Sequence, residues 1–241
     1  WAFARIPSFE ELEHPDNKLA TQVLADDGQQ ILCTFHIENR TYVPFEDLSP
    51  NLVHAAISTE DVRFRKHSGI DTRGLARVAV KTLLMHDSSQ GGGSTITQQL
   101  AKTLYPRVES KSRIPGWSKV VMVWTKLKEW ITAVKERNYT KNEIMAMYLN
   151  SIFFGSGAYG VKAASETFFA KEPADLTVEE AATLIGMVNK PTRYNPALNP
   201  ERSLQRRNFV IGRMHKDDWL TREEADSIMQ IPISLSYHVQ D

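Results

Sequence analysis

Three Thr-x-x-Glu boxes, Thr140 with Glu143, Thr177 with Glu180 and Thr221 with Glu224, each stand immediately ahead of a helix-compatible run. In such a box the threonine hydroxyl and the glutamate carboxylate satisfy orphan backbone N–H groups at a helix start, so each box fixes where a helix begins. Ser8 with Glu11 offers a fourth, and Asn199 before Pro200 opens another helix toward Met214, because proline pre-sets φ at the first helical position. Pro191 and Pro232 close two helices. The widest apolar stripe runs from Val120 to Val134, with Val120, Val123, Trp124, Leu127, Ile131 and Val134 at three- and four-residue spacings. Nearly everything after Pro50 therefore reads as helical.

The segment before Pro50 has a different period. Gln22–Ala25, the Asp27-Gly28 turn signal, Ile31–Ile37 and Thr41–Phe45 read as a small β element with Cys33 as an apolar strand residue. The expected architecture is mainly α with a short N-terminal β element, divided as 1–49 and 50–241. Asp87–Gly93, ending in three glycines, reads as a flexible insert.

Charge narrows the partners. Lys plus Arg and Asp plus Glu are 29 each, so no overall field favours nucleic acid, and any electrostatic role must be local. A lone cysteine excludes an internal disulfide. No stretch of eighteen apolar residues and no signal peptide is present, while the start Trp1-Ala2-Phe3-Ala4-Arg5 has the aromatic and basic character of a segment leaving a bilayer. A trimmed chain is the expectation at both ends.

Five segments could carry chemistry. Glu60 and Asp61 close an apolar helical run from Leu52 to Ile57 and open the string E-D-x-x-F-x-x-H-x-G through Phe64, His67 and Gly69. Taken alone, an acidic pair beside Arg63, Arg65 and Lys66 is more often a solvated ion-pair face, and His67 more often structural. Gly93-Ser94-Thr95-Ile96-Thr97-Gln98-Gln99 leads to Lys102; it lacks the Gly-Lys-Ser/Thr ending of a phosphate loop, and its bland reading is a linker capped by Ser94 or Thr95 into a helix. Lys126, Lys128 and Glu129 put cations and a carboxylate on one helix, although solvated lysines are the usual explanation. Lys141 to Asn150, running into Phe153, Phe154, Gly155 and Gly160, reads mostly as core and turn; Arg206-Arg207 either binds phosphate or solvates a surface. No metal-ligand spacing occurs.

Together and in this order, the five segments resemble the bacterial peptidoglycan glycosyltransferases (glycosyltransferase family 51), the module of class A penicillin-binding proteins and of monofunctional transglycosylases. The likeness runs from about Pro7-Ser8 to Tyr237, and the E-D-x-x-F-x-x-H-x-G and G-x-S-T-I-T-Q-Q strings are specific to that family. The resemblance implies a lysozyme-like helical lobe with a smaller membrane-proximal jaw lobe, and polymerisation of lipid II with inversion and release of polyprenyl diphosphate. It implies Glu60 as general base, Asp61 as its supporting acid and Glu129 as the second acidic residue. Phe64 and His67 would shape the pocket. Ser94, Thr95, Gln98, Gln99 and Lys102 would contact sugars and diphosphate, and Lys126 with Lys128 would stabilise the departing pyrophosphate. Lys141, Tyr148, Asn150 and the pair Arg206-Arg207 match mainly structural or donor-site positions. The implied partners are lipid II, the growing lipid-linked strand, the extracytoplasmic face of the bacterial membrane and a moenomycin-type inhibitor. No cofactor is implied beyond a divalent cation at the diphosphate.

Two departures stand out. Thr125 replaces an expected cation before Lys126, and the run between Glu129 and Glu136 is one residue shorter than the family pattern. The apolar region Ile114–Trp124 fits either a core helix or a segment dipping into the bilayer. Two rival functions remain: a lysozyme-like hydrolase, which has no pyrophosphate for Lys102, Lys126 and Lys128 to neutralise, and a non-catalytic glycan- or lipid-binding module.

Overall fold

The computed structural model describes residues 21–24, 31–35, 41–67, 71, 94–104 and 139–237. Within these, two antiparallel strands, β1 (Thr21–Leu24) and β2 (Ile31–Phe35), pair with Thr21 opposite Phe35 and Val23 opposite Cys33, as the hairpin reading requires. The third expected strand, Thr41–Phe45, is absent: residues 41–44 form no ladder and a 3-10 turn covers Phe45–Asp47. Two features divert it. Pro44 has no N–H to give a ladder, and the Val43 backbone is taken by the Asn150 side chain, whose Oδ1 accepts from Val43 N at 2.9 Å while its Nδ2 donates to Val43 O at 2.8 Å. Asn150 thus imitates a paired strand residue.

Seven α-helices follow among the described residues, so the mainly α expectation holds: α1 (Pro50–Glu60), α2 (Ile96–Leu104), α3 (Lys141–Ser151), α4 (Gly160–Phe169), α5 (Val178–Val188), α6 (Pro200–Lys216) and α7 (Arg222–Gln230). The capping boxes act where the sequence places them. Thr140 accepts from Glu143 N while the Glu143 carboxylate accepts from Thr140 N, and Thr221 with Glu224 does the same. At α5 the Glu180 carboxylate accepts from Thr177 N at 3.0 Å. Asn199 precedes Pro200 as expected, but its side chain donates to Thr192 O instead of capping α6. The Val120–Val134 stripe, the Asp87–Gly93 insert and the Ser8 box lie outside the described residues.

Helix α1 is the centre of the packing. It rests on α5 and α6, which pack most closely on each other, while α2 lies on α3 and α3 on α4. Ala55 and Ala56 are fully buried and let the backbones of α1 and its neighbours approach; Leu52, Leu184, Ile185, Val210 and Ile211 fill the space around them. Both ends of α1 are tied down. Ser49 Oγ donates to Leu176 O at 2.9 Å at the start, and Arg213 Nε donates to Ser58 O at 3.1 Å near the end. Glu60 is the last residue of a helix held at both ends.

Between α3 and α4 a tight hairpin, β3 (Phe153–Gly155) and β4 (Ala158–Tyr159), reverses the chain. The residue that follows it, the first of α4, must be glycine: Gly160 has φ +78°, and a Cβ there would lie 2.7 Å from Asn150 O. The hairpin therefore locks against the asparagine that holds Val43.

Arg207 on α6 is 0% exposed, and its guanidinium donates to Ile231 O at 2.6 Å, to Met229 O at 3.0 Å and to Asn208 Oδ1. Burial pushes its pKa down and the Glu179 carboxylate pulls it back up. The expectation that Arg207 contacts substrate is corrected here: its donors are spent on the carbonyls at the end of α7. Replacing it by Met should leave those carbonyls without their donor and lower stability by about 2–4 kcal/mol. A thermal midpoint unchanged from the parent would refute that role.

Candidate functional site

The end of α1 gathers chemistry from three helices. Glu60 is half-buried and its Oε2 accepts from Gln99 Nε2 on α2 at 2.9 Å. The Oε1 of Gln99 in turn accepts from the Tyr148 hydroxyl on α3 at 3.1 Å. Among the described residues, Glu60 Oε1 makes no hydrogen bond. Among the described residues the carboxylate thus has one oxygen fixed and one without a partner.

Asp61 next to it is used differently. Its chain leaves the helix at φ −158°, ψ 75°, which turns the carboxylate inward. There Oδ2 accepts from Ile96 N, the first N–H of α2, at 3.1 Å, and His67 Nε2 sits 2.9 and 3.0 Å from the two oxygens. Because a carboxylate only accepts, Nε2 carries the hydrogen. Asp61 thereby joins the end of α1, the start of α2 and the turn carrying His67, and a negative charge at a helix N-terminus is favourable there. No hydrogen bond joins it to Glu60 among the described residues. His67 Nδ1 is buried with no partner among the described residues. Phe64 packs edge-on to His67, its ring centroid 6.4 Å away, with Lys141 Nζ 4.5 Å above the Phe64 ring.

Burial separates the expected substrate contacts into two groups. Phe64 is 0% exposed, and Thr95, Gln98 and the His67 side chain are also buried. Gln98 Oε1 accepts from Thr95 N and Thr95 Oγ1 from Gln98 N, both at 3.2 Å. Thr95 and Gln98 therefore form a capping box for α2, the bland alternative for this segment, and the expectation that Gln98 and Thr95 touch sugar is corrected to a role in starting the helix. Phe64 and the His67 side chain are buried under this end of α1 and α2. Glu60, Ser94, Gln99 and Lys102 retain accessible surface, and Lys102 Nζ donates to Ser94 Oγ at 3.3 Å. These four make the accessible site.

Arg206 is half-buried, its guanidinium 5.5 Å from the Tyr194 ring and 4.7 Å from the Phe209 ring, with Nε donating to Gly186 O. Among the described residues no hydrogen bond links it to the Glu60 cluster. Lys126, Lys128 and Glu129 lie outside the described residues. Two contributions escaped the sequence reading: the Tyr148 hydroxyl as a partner of Gln99, and Arg213 as the anchor of the α1 end. Neither has a local spacing signal, since Tyr148 and Gln99 are 49 residues apart.

Nothing among the described helices is long and apolar enough to cross a membrane, and no cluster of three or more His, Cys, Asp or Glu there is arranged to hold a metal ion.

A family profile described as transglycosylase matches residues 27–215. Penicillin-binding protein 1A of Pseudomonas aeruginosa is 36% identical over 237 residues, covering 98% of this chain and 27% of that protein. Penicillin-binding protein 1A of Aquifex aeolicus is 37% identical over 240 residues, covering 95% and 31%. The chain thus spans less than a third of the length of these relatives. The crystal structure of penicillin-binding protein 1A from Haemophilus influenzae superposes with a TM-score of 0.50 at 24% identity, over 92% of this chain and 22% of that one, a likeness that concerns the fold.

Proposed function

The chain belongs to the transglycosylase family, which makes it a peptidoglycan glycosyltransferase domain, and from that premise we propose that it polymerises lipid II into glycan strands. The observation that carries the reading is Glu60 at a fixed helix end, with one carboxylate oxygen held by Gln99 and the other without a hydrogen bond among the described residues. A base must be ordered and yet keep an acceptor free, and this arrangement does both.

In the proposed reaction the acceptor sugar's 4-hydroxyl gives its proton to Glu60 Oε1 as its oxygen attacks the donor's anomeric carbon. The bond from that carbon to the diphosphate oxygen breaks, and the polyprenyl diphosphate leaves with the electron pair. A single displacement inverts the anomeric carbon. Negative charge grows on the departing diphosphate, and Lys102, one turn beyond Gln99 on α2, is the described cation we assign to it. Lys126 and Lys128 are proposed to share that role and Glu129 to be the second acid. No step is routed through a divalent cation.

The same reading puts the protein at the extracytoplasmic face of a bacterial cytoplasmic membrane, with lipid II and the growing strand as partners and a moenomycin-type compound as a competitor for the site. Incubation of the membrane-reconstituted protein with lipid II tests it. Glycan polymer and free polyprenyl diphosphate are expected. A folded sample that yields neither, or that cuts finished glycan, overturns the reading in favour of a binding module or of a hydrolase.

A further inference from the structure

We infer that Tyr148 is a positioning residue for Glu60, acting through Gln99 to decide which oxygen of the carboxylate is tied and which is left to take the proton. The inference rests on the reading of Glu60 as the base. Three helices contribute one group each: the Tyr148 hydroxyl on α3 donates to Gln99 Oε1 at 3.1 Å, and Gln99 Nε2 on α2 donates to Glu60 Oε2 at 2.9 Å at the end of α1.

The direction of this chain is forced by chemistry. A carboxylate offers only acceptors, so the amide nitrogen of Gln99 must face Glu60 and the amide oxygen must face Tyr148. In the flipped amide, two oxygens would oppose each other at hydrogen-bond distance. The phenol in turn has to be a donor, and its surroundings keep it one: burial, with the Glu60 and Asp61 carboxylates adding to it, pushes the Tyr148 pKa well above its ordinary value. Tyr148 therefore holds its proton and can fix the amide.

Packing supports the same assignment. Tyr148 is 2% exposed, on a helix face packed against α2, so it cannot itself reach a substrate in the cleft. Gln99 is half-buried and spans the distance. Asp61 is already occupied by His67 and Ile96 N, which leaves Gln99 as the only hydrogen-bond donor to Glu60 among the described residues. Without the phenol, the amide is free to rotate away and the base loses its fixed orientation.

Tyr148→Phe keeps the ring and removes only the donor, and Gln99→Met keeps the length and removes both bonds. In a lipid II polymerisation assay Tyr148→Phe should lower kcat about tenfold, the size of one neutral hydrogen bond, and Gln99→Met about 10–100-fold, the size of one bond to a charged group. KM should stay within about twofold in Tyr148→Phe, because the buried phenol touches neither donor nor acceptor. The double variant should be no slower than Gln99→Met alone, since the phenol acts only through the amide. The Gln99 side-chain amide, assigned in 15N spectra by its loss in Gln99→Met, should exchange slowly with water in the parent and rapidly in Tyr148→Phe. An unchanged kcat in Tyr148→Phe, a loss expressed in KM, or losses that multiply in the double variant would overturn the inference. A polymerising parent whose Gln99 amide ignores Tyr148→Phe overturns it too, and leaves the functional reading standing. A parent that makes no polymer although its Gln99 amide responds overturns the functional reading, and the relay then has no base to position.

Discussion

Glu60→Gln is expected to lower polymerisation by about 10²–10⁴-fold, the usual contribution of a positioned general base, while the thermal midpoint stays close to the parent's. The separation of the two effects follows from the geometry. In the parent, Glu60 Oε2 accepts from Gln99 Nε2. A glutamine at position 60 keeps an oxygen able to accept the same bond, so the contact joining α1 to α2 survives. What disappears is an oxygen basic enough to take a proton from a sugar hydroxyl. Asp61 cannot substitute, because its carboxylate is buried and engaged by His67 and by Ile96 N. The measurement is single-turnover polymer formation beside a melting curve. Near-parent turnover in the variant removes Glu60 from the chemistry; a collapsed melting curve shows instead that the residue is part of the framework.

How far the sequence disclosed this site depends on whether the information was local. Capping boxes were legible because all their parts lie within four residues, and those at Thr140, Thr177 and Thr221 open α3, α5 and α7. The acidic pair at a helix end was legible for the same reason. The division of labour within that pair was not, since it depends on Ile96 and His67 reaching Asp61 from other parts of the chain. The adjacent glutamines Gln98 and Gln99 show the limit clearly. They have the same chemistry, yet neighbouring positions on a helix point about 100° apart. One turns back to complete the box with Thr95 and the other reaches Glu60. The strand expected at Thr41–Phe45 failed by the opposite route: its local β signal was real, but a side chain 107 residues away supplies Val43 with the bonds of a missing neighbour. Arg206 and Arg207 repeat the lesson, one a half-exposed cation between aromatic rings and the other wholly committed to carbonyls.

Lys102→Ala is expected to reduce turnover by about 10²–10³-fold, the usual effect of deleting one preorganised electrostatic partner of a developing charge. Its position supports this assignment. Three residues beyond Gln99 on α2, Lys102 lies on the same helix face and about 4.5 Å further along the axis, on the helix whose Gln99 holds Glu60. Among the described residues its hydrogen bond is to Ser94 Oγ at 3.3 Å, long for such a bond, so the ammonium gives up little when it turns toward a diphosphate. Ser94 then serves to park the cation near the cleft between turnovers. Because the diphosphate is charged before as well as during bond breaking, donor affinity should also fall, by less than turnover does. Lys102→Arg should retain part of the rate, keeping the charge but not the compact point donor. A second comparison separates this role from a merely structural one: Ser94→Ala removes the same Lys102–Ser94 bond without removing the cation. If the lysine acts on the diphosphate, Lys102→Ala loses far more turnover than Ser94→Ala, whatever Ser94 itself contributes at the site. Equal losses in the two variants, or parent-like turnover in Lys102→Ala, would show that Lys102 only fastens the start of α2.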